Sequence, residues 1–164
     1  MSFGKQPVIF FVSYARENKQ LADIFLSLFE EQIGASKRYD YKKWQDHKIL
    51  PGENWHEEIQ KAIIKCDFGL LLISPSFLGS AYIRQHELPH FTGKHAKIVF
   101  PVMLRKVSFE RQDLLGLEEK QIYRLESERF KKPRAFSEIS SNRREDFAFE
   151  FFLKVESRLD KYYR

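Results

Sequence analysis

Several absences narrow what this chain can be. It carries one cysteine, Cys66, so no internal disulfide can form, and that usage suits a reducing cytoplasm. Cys66 closes an apolar helical pattern and reads as a small buried hydrophobe rather than a catalytic thiol. No apolar run reaches the roughly 18 residues of a membrane span, and no cationic stretch leads into an apolar signal core, so a soluble domain without a membrane partner is expected. Only 7 glycines are present, and none forms a glycine-rich phosphate loop of the dinucleotide or Walker type. Metal chemistry is poorly provided for: His86 and His90 are spaced i, i+4, but only Glu87 stands near them. The excess of one charge sign is small, 28 basic against 23 acidic residues for a net +5, and both signs are interspersed. Lys131-Lys132 and Arg143-Arg144 read as solvated charge, and no nucleic-acid partner is expected.

Aromatic residues, by contrast, are abundant. They make up 15% of the 164 residues, with 16 Phe, which argues for one well-filled core and a single domain over 1–164. Apolar runs bounded by turn signals alternate with helical patterns, as βα units around a parallel sheet buried on both faces do. The strand runs are Val8 to Ser13, Phe68 to Ile73 and residues 97–104. Arg38 to Trp44 is a further strand whose Lys42 and Lys43 place it at an edge, and Gln121 to Leu125 is a short last one. Leu21, Ile24, Phe25, Leu28 and Phe29 form the apolar face of a first helix that Gly34 ends. Asn54 and Glu57 form a cap and N3 pair for a second helix, whose buried face is Ile59, Ala62, Ile63 and Cys66. Ser80 caps a helix over 81–90, and Phe147, Phe151, Phe152, Val155, Leu159 and Tyr162 mark a final amphipathic helix over about 143–162.

The polar residues that follow the strands share one rim. Ser13, Tyr14 and Arg16 follow the first strand, Asp46 the second, Ser74 the third and Arg105 the fourth. In a parallel sheet all emerge at the carboxyl edge, where open α/β sheets hold ligands. Hydroxyls and a carboxylate suit ribose, and a guanidinium suits phosphate. The spacing equally fits a plainer reading in which Ser13 and Ser74 cap the next helices and Asp46 shapes a turn.

Phe10-Phe-Val-Ser-Tyr14 resembles the first box of Toll/interleukin-receptor (TIR) domains. Asp46-His-Lys-Ile-Leu-Pro-Gly52 resembles their loop after the second strand, and Trp55 to Ile63 the helix after it. Cys66-Asp67, Leu70 to Ser74 and Ser80 to Leu88 resemble the third strand and the helix beyond. The matches run in the family's order over residues 7–105, and the single-cysteine form resembles bacterial members. The resemblance implies a flavodoxin-like three-layer α/β fold with a central, mostly parallel five-stranded sheet.

It also implies one of two activities. Some TIR domains are adaptors that assemble with others of their kind, whereas others cleave the nicotinamide–ribose bond of NAD+, here a substrate with no cofactor required. In enzymatic members a glutamate in the helix after the third strand carries the reaction, and that position is Glu87. The resemblance places Ser13, Tyr14, Arg16, Asp46, Trp55, Ser74, Tyr82 and Ile83 against the substrate. An aromatic often stands four residues before the glutamate; Ile83 occupies that position and Tyr82 lies five back. His47, Lys48, Ile49, Leu50, Pro51 and Gly52 form the loop through which one copy would gate or complete another. The implied setting is a cytoplasmic effector of bacterial immunity. On an α-helical rise of about 1.5 Å per residue, Glu87 would lie ~10 Å beyond Ser80, so residues 74–79 must tilt that helix toward the rim.

Overall fold

The computed structural model describes residues 4–44 and 52–163. Four strands make one sheet: β1 (Gln6–Ser13), β2 (Tyr39–Lys43), β3 (Phe68–Ile73) and β4 (Ile98–Met103), all parallel, in the order β2-β1-β3-β4. Between them run α1 (Lys19–Gly34), α2 (Trp55–Lys65), the short α3 (Pro75–Gly79) and α4 (Pro89–Thr92), and α5 (Arg144–Tyr162) closes the fold.

The expected fifth strand contracts to a single bridge. Tyr123 pairs with Val102, its N–H donating to Pro101 O at 2.8 Å and its carbonyl accepting from Met103 N at 2.9 Å. Pro101 supplies a reason, because it brings no N–H to that edge and cannot extend a ladder there.

Alternation along each strand sends side chains to two cores. Phe10, Phe68, Leu70, Leu72 and Phe100 pack with α1 and α5, while Phe11, Leu71, Ile73, Val99 and Met103 pack with α2, α3 and the segment around α4. The first core is rich in aromatic rings: Phe25 meets Phe136, Phe147 and Phe151 with ring centroids 5.4 to 5.9 Å apart, mostly edge to face. Within α1 the buried face is Leu21, Ala22, Phe25, Leu26, Phe29 and Ile33, and Ile24 is 43% exposed rather than buried. The buried stripe is therefore turned by a fraction of a turn from the one the spacing predicts.

At the edge, β2 leaves Lys42 exposed, and the half-buried Lys43 pairs with Glu30 at 2.7 Å. Its inward tyrosines reach α5 instead, Tyr39 donating to Asp160 and Tyr41 to Glu156, each at 2.6 Å. Asn54 caps α2 as expected, its side chain accepting from Glu57 N at 3.0 Å.

Candidate functional site

β1 ends at Ser13, and the extended Tyr14-Ala15 segment leads into a 3-10 turn at Arg16–Asn18 before α1 begins. Asn18 is buried, and its side chain ties strand ends together rather than capping α1. Its amide donates to Ser74 Oγ at 2.7 Å, and its carbonyl accepts from Arg105 Nε at 2.7 Å. Ser74 also accepts from Phe77 N at 3.0 Å as the N-cap of α3. Ser74 is thus fully buried and occupied, and it does not form the wall of a cleft.

Beyond α3 the chain departs from the helix predicted over 81–90. Residues Ile83–Glu87 form a π turn, in which Leu88 N donates to Ile83 O at 2.8 Å, and Pro89 ends the run by bringing no donor. Ser80 still serves locally, its hydroxyl accepting from Ile83 N at 3.3 Å. The required tilt comes from α3 and this turn, which return Glu87 to the end of β1. There Ser13 Oγ donates to Glu87 Oε1 at 2.5 Å, a contact between residues 74 apart in sequence. Glu87 is 8% exposed, so its carboxylate lies just beneath the rim rather than on it.

A π turn closes on the fifth residue, so positions five apart share a side where an α-helix would pair positions four apart. Tyr82, five residues before Glu87, borders the β1 cleft, and Ile83, four before it, is buried in the core beside α2. Tyr82 is braced from several directions. Trp55, 44% exposed at the start of α2, packs against it with ring centroids 5.0 Å apart and planes tilted by 41°, and His56 Nδ1 lies 3.1 Å from the tyrosine hydroxyl. The His86 ring sits 4.9 Å from Tyr82 and 4.6 Å from His56.

Gln60 fastens α2 to the same segment, its Nε2 donating to His86 O at 2.9 Å and its Oε1 lying 2.8 Å from His90 Nε2. Loss of solvent around His90 lowers its pKa and favours the neutral ring. None of His56, Gln60 and Asn18 stood out in the sequence. The i, i+4 pair His56 and Gln60 on one helix face was the available signal.

An open cleft of about 510 Å³ lies at the carboxyl ends of β1 and β3, where the sheet order reverses direction and α/β folds hold ligands. Tyr14, Arg16 and Glu17 line one side, and Ser76, Ser80, Tyr82 and Ile83 the other. Arg16 is exposed and makes no ion pair among the described residues, leaving its guanidinium available to an anion. Asp46, His47, Lys48, Ile49, Leu50 and Pro51 lie outside the described residues, and Gly52, at their end, is exposed with φ +89°. Among the described residues no three His, Cys, Asp or Glu side chains gather as a metal site would require, and no helix is long and apolar enough to cross a membrane.

A family model described as "TIR domain" matches residues 10–139. The uncharacterized protein y4lF of Sinorhizobium fredii is 33% identical over 103 residues, covering 60% of this chain and 30% of that protein. The chain thus spans about a third of the length of this curated relative. The crystal structure of the TIR domain of a Toll-related receptor from Hydra magnipapillata superposes with a TM-score of 0.50 at 17% identity, covering 69% of this chain and 80% of that one. That likeness concerns the fold.

Proposed function

Because the chain belongs to the TIR domain family, we propose that it is an NAD+-cleaving effector domain of the bacterial type, with Glu87 as its catalytic carboxylate. The observation that carries this reading is the Ser13–Glu87 contact, which holds a carboxylate at the end of β1 beside a cleft walled by Tyr14, Arg16 and Tyr82. Such a site matches the needs of the reaction. Breaking the glycosidic bond sends its electron pair to the pyridinium nitrogen, so nicotinamide leaves as a neutral base and no general acid has to protonate it. Positive charge grows on the ribose, and a fixed carboxylate stabilises that oxocarbenium character and holds the ribose hydroxyls. Water attacks the same carbon to give ADP-ribose, or a base nitrogen of the substrate attacks it to give a cyclic product; either nucleophile then releases a proton.

Arg16 is the residue suited to the pyrophosphate, and Tyr82, backed by Trp55, offers a flat face to a ring. Self-association through the loop that includes Asp46 to Gly52 completes the reading, as does a cytoplasmic place in bacterial immunity. One observation favours a second reading, that of a non-catalytic module recruiting other TIR domains: Glu87 is buried and engaged by Ser13, not open to the cleft.

Incubating concentrated or artificially clustered protein with NAD+ and separating the products chromatographically distinguishes the two. Nicotinamide release is expected, reduced about a hundredfold or more in Glu87→Gln, a change that keeps an acceptor for Ser13 while removing the charge. Glu87→Ala should lose activity as well, and circular dichroism should show both variants folded. Full turnover in Glu87→Gln overturns the assignment of Glu87, and no turnover by wild type under any clustered condition selects the recruiting module.

A further inference from the structure

On the far side of the sheet a larger groove of about 1080 Å³ opens between the outer edge of β4, the segment 120–127 and α5. It owes its existence to the contracted fifth strand. The groove does not invite another strand, because its edge is already spoken for. Pro101 has no N–H, Pro101 O and Met103 N are taken by Tyr123, and Arg158 Nη1 donates to Val99 O at 2.8 Å.

The groove walls are strongly basic instead. Lys120, Arg124, Lys154, Arg158 and Lys161 line it, and none pairs with a carboxylate within 4.0 Å among the described residues. Glu126 and Glu150 oppose them, and the Asp146 beside the groove is already paired with Arg143 at 3.3 Å. Lost solvation lowers the Arg158 pKa with no carboxylate offsetting it, which fits a cation placed to receive an anion. Flat surfaces accompany the charge: Arg124 lies over the half-exposed Phe109 ring at 4.9 Å, and Arg158 over Phe100 at 5.4 Å.

We propose that this groove binds a phosphorylated small molecule of nucleotide size, its phosphates on Arg158, Lys154 and Arg124 and its base against the Phe109–Arg124 pair. The volume matches a ligand larger than a free phosphate, and the aromatic-guanidinium faces are of the kind on which bases stack. The proposal is independent of the reaction assigned to Glu87, since no residue of the β1 cleft lines the groove.

Titration of the protein with ADP, followed by calorimetry and by amide chemical shifts, tests it. Saturable binding whose amide shifts map to the groove is expected, weaker by tenfold or more in Lys154→Glu and in Arg124→Glu, and weakened by raised salt. Lys154 is exposed and Arg124 half-buried over Phe109, neither has an ion-pair partner among the described residues, and thermal melts of the variants report whether they remain folded. Absence of saturable binding up to millimolar ADP overturns the proposal, as does binding that both charge reversals leave untouched. Binding lost only in Arg16→Ala overturns it too, by placing ADP in the β1 cleft.

Discussion

Burial pushes the Cys66 thiol up to about 11, with its Sγ donating to Ile63 O at 3.1 Å. A neutral thiol is a poor nucleophile, so Cys66 should resist alkylation at pH 8 in the folded protein. The same shift makes a stability statement. The unfolded chain releases this proton around the ordinary thiol value of 9.0, whereas the folded chain keeps it until about pH 11, so the folded state binds more protons in that interval and stability falls as pH rises through it. Urea midpoints measured from pH 8 to 10 should therefore decline, and Cys66→Ala should decline less steeply although it starts from a lower value.

Residue by residue, identity was easier to read than employment. Ser13 and Ser74 each follow an apolar strand, and spacing left both open as caps or as rim groups. Ser74 proves to be a cap because Phe77 N lies within its reach, while Ser13 instead meets Glu87, a partner no local pattern could announce. Asn18 escaped notice for the same reason, since both of its partners come from distant strand ends.

Among the elements, those with sustained periodicity were legible. α1, α2, α5 and the central strands follow from apolar spacing, and the edge position of β2 follows from its lysines. Short elements were not, because five residues carry too little periodicity to separate α3 or a π turn from a loop or an ordinary helix. The π turn nonetheless sets Tyr82 at the cleft and brings Glu87 to Ser13.

A packing constraint links β3 to α4. A Cβ on Gly69 would stand 2.4 Å from Phe91 Cε1, and Phe91 is fully buried, so the ring can yield only by disturbing the core around it. Gly69→Ala should destabilise the protein by about 1–3 kcal/mol, read as a lowered melting temperature. Phe91→Leu combined with it should cost less than the sum of the two single changes, a coupling expected only if the clash with this ring is the cause.

At the scale of the molecule, the architecture was legible and its outer edge was not. A parallel α/β sheet with helices on both faces was expected and is present, but contraction of the fifth strand turned on Pro101, which lacks an N–H, and on Arg158, which occupies the Val99 carbonyl from 59 positions away. The division into two cores has a further result, in the free energy of local opening. The face toward α1 and α5 is held by two long helices of 16 and 19 residues, whereas the opposite face is covered by α2, of 11 residues, and by α3, the π turn and α4, none of these three longer than five residues. Cooperative units of unequal stability follow from such inequality. Amide hydrogen exchange should show residues 80–92 losing protection first and α1, α5 and β3 last; equal protection on both faces would contradict this. Glu87 then belongs to the unit that can open while the remainder stays folded, so its release from Ser13 would draw on a local fluctuation and not on global unfolding.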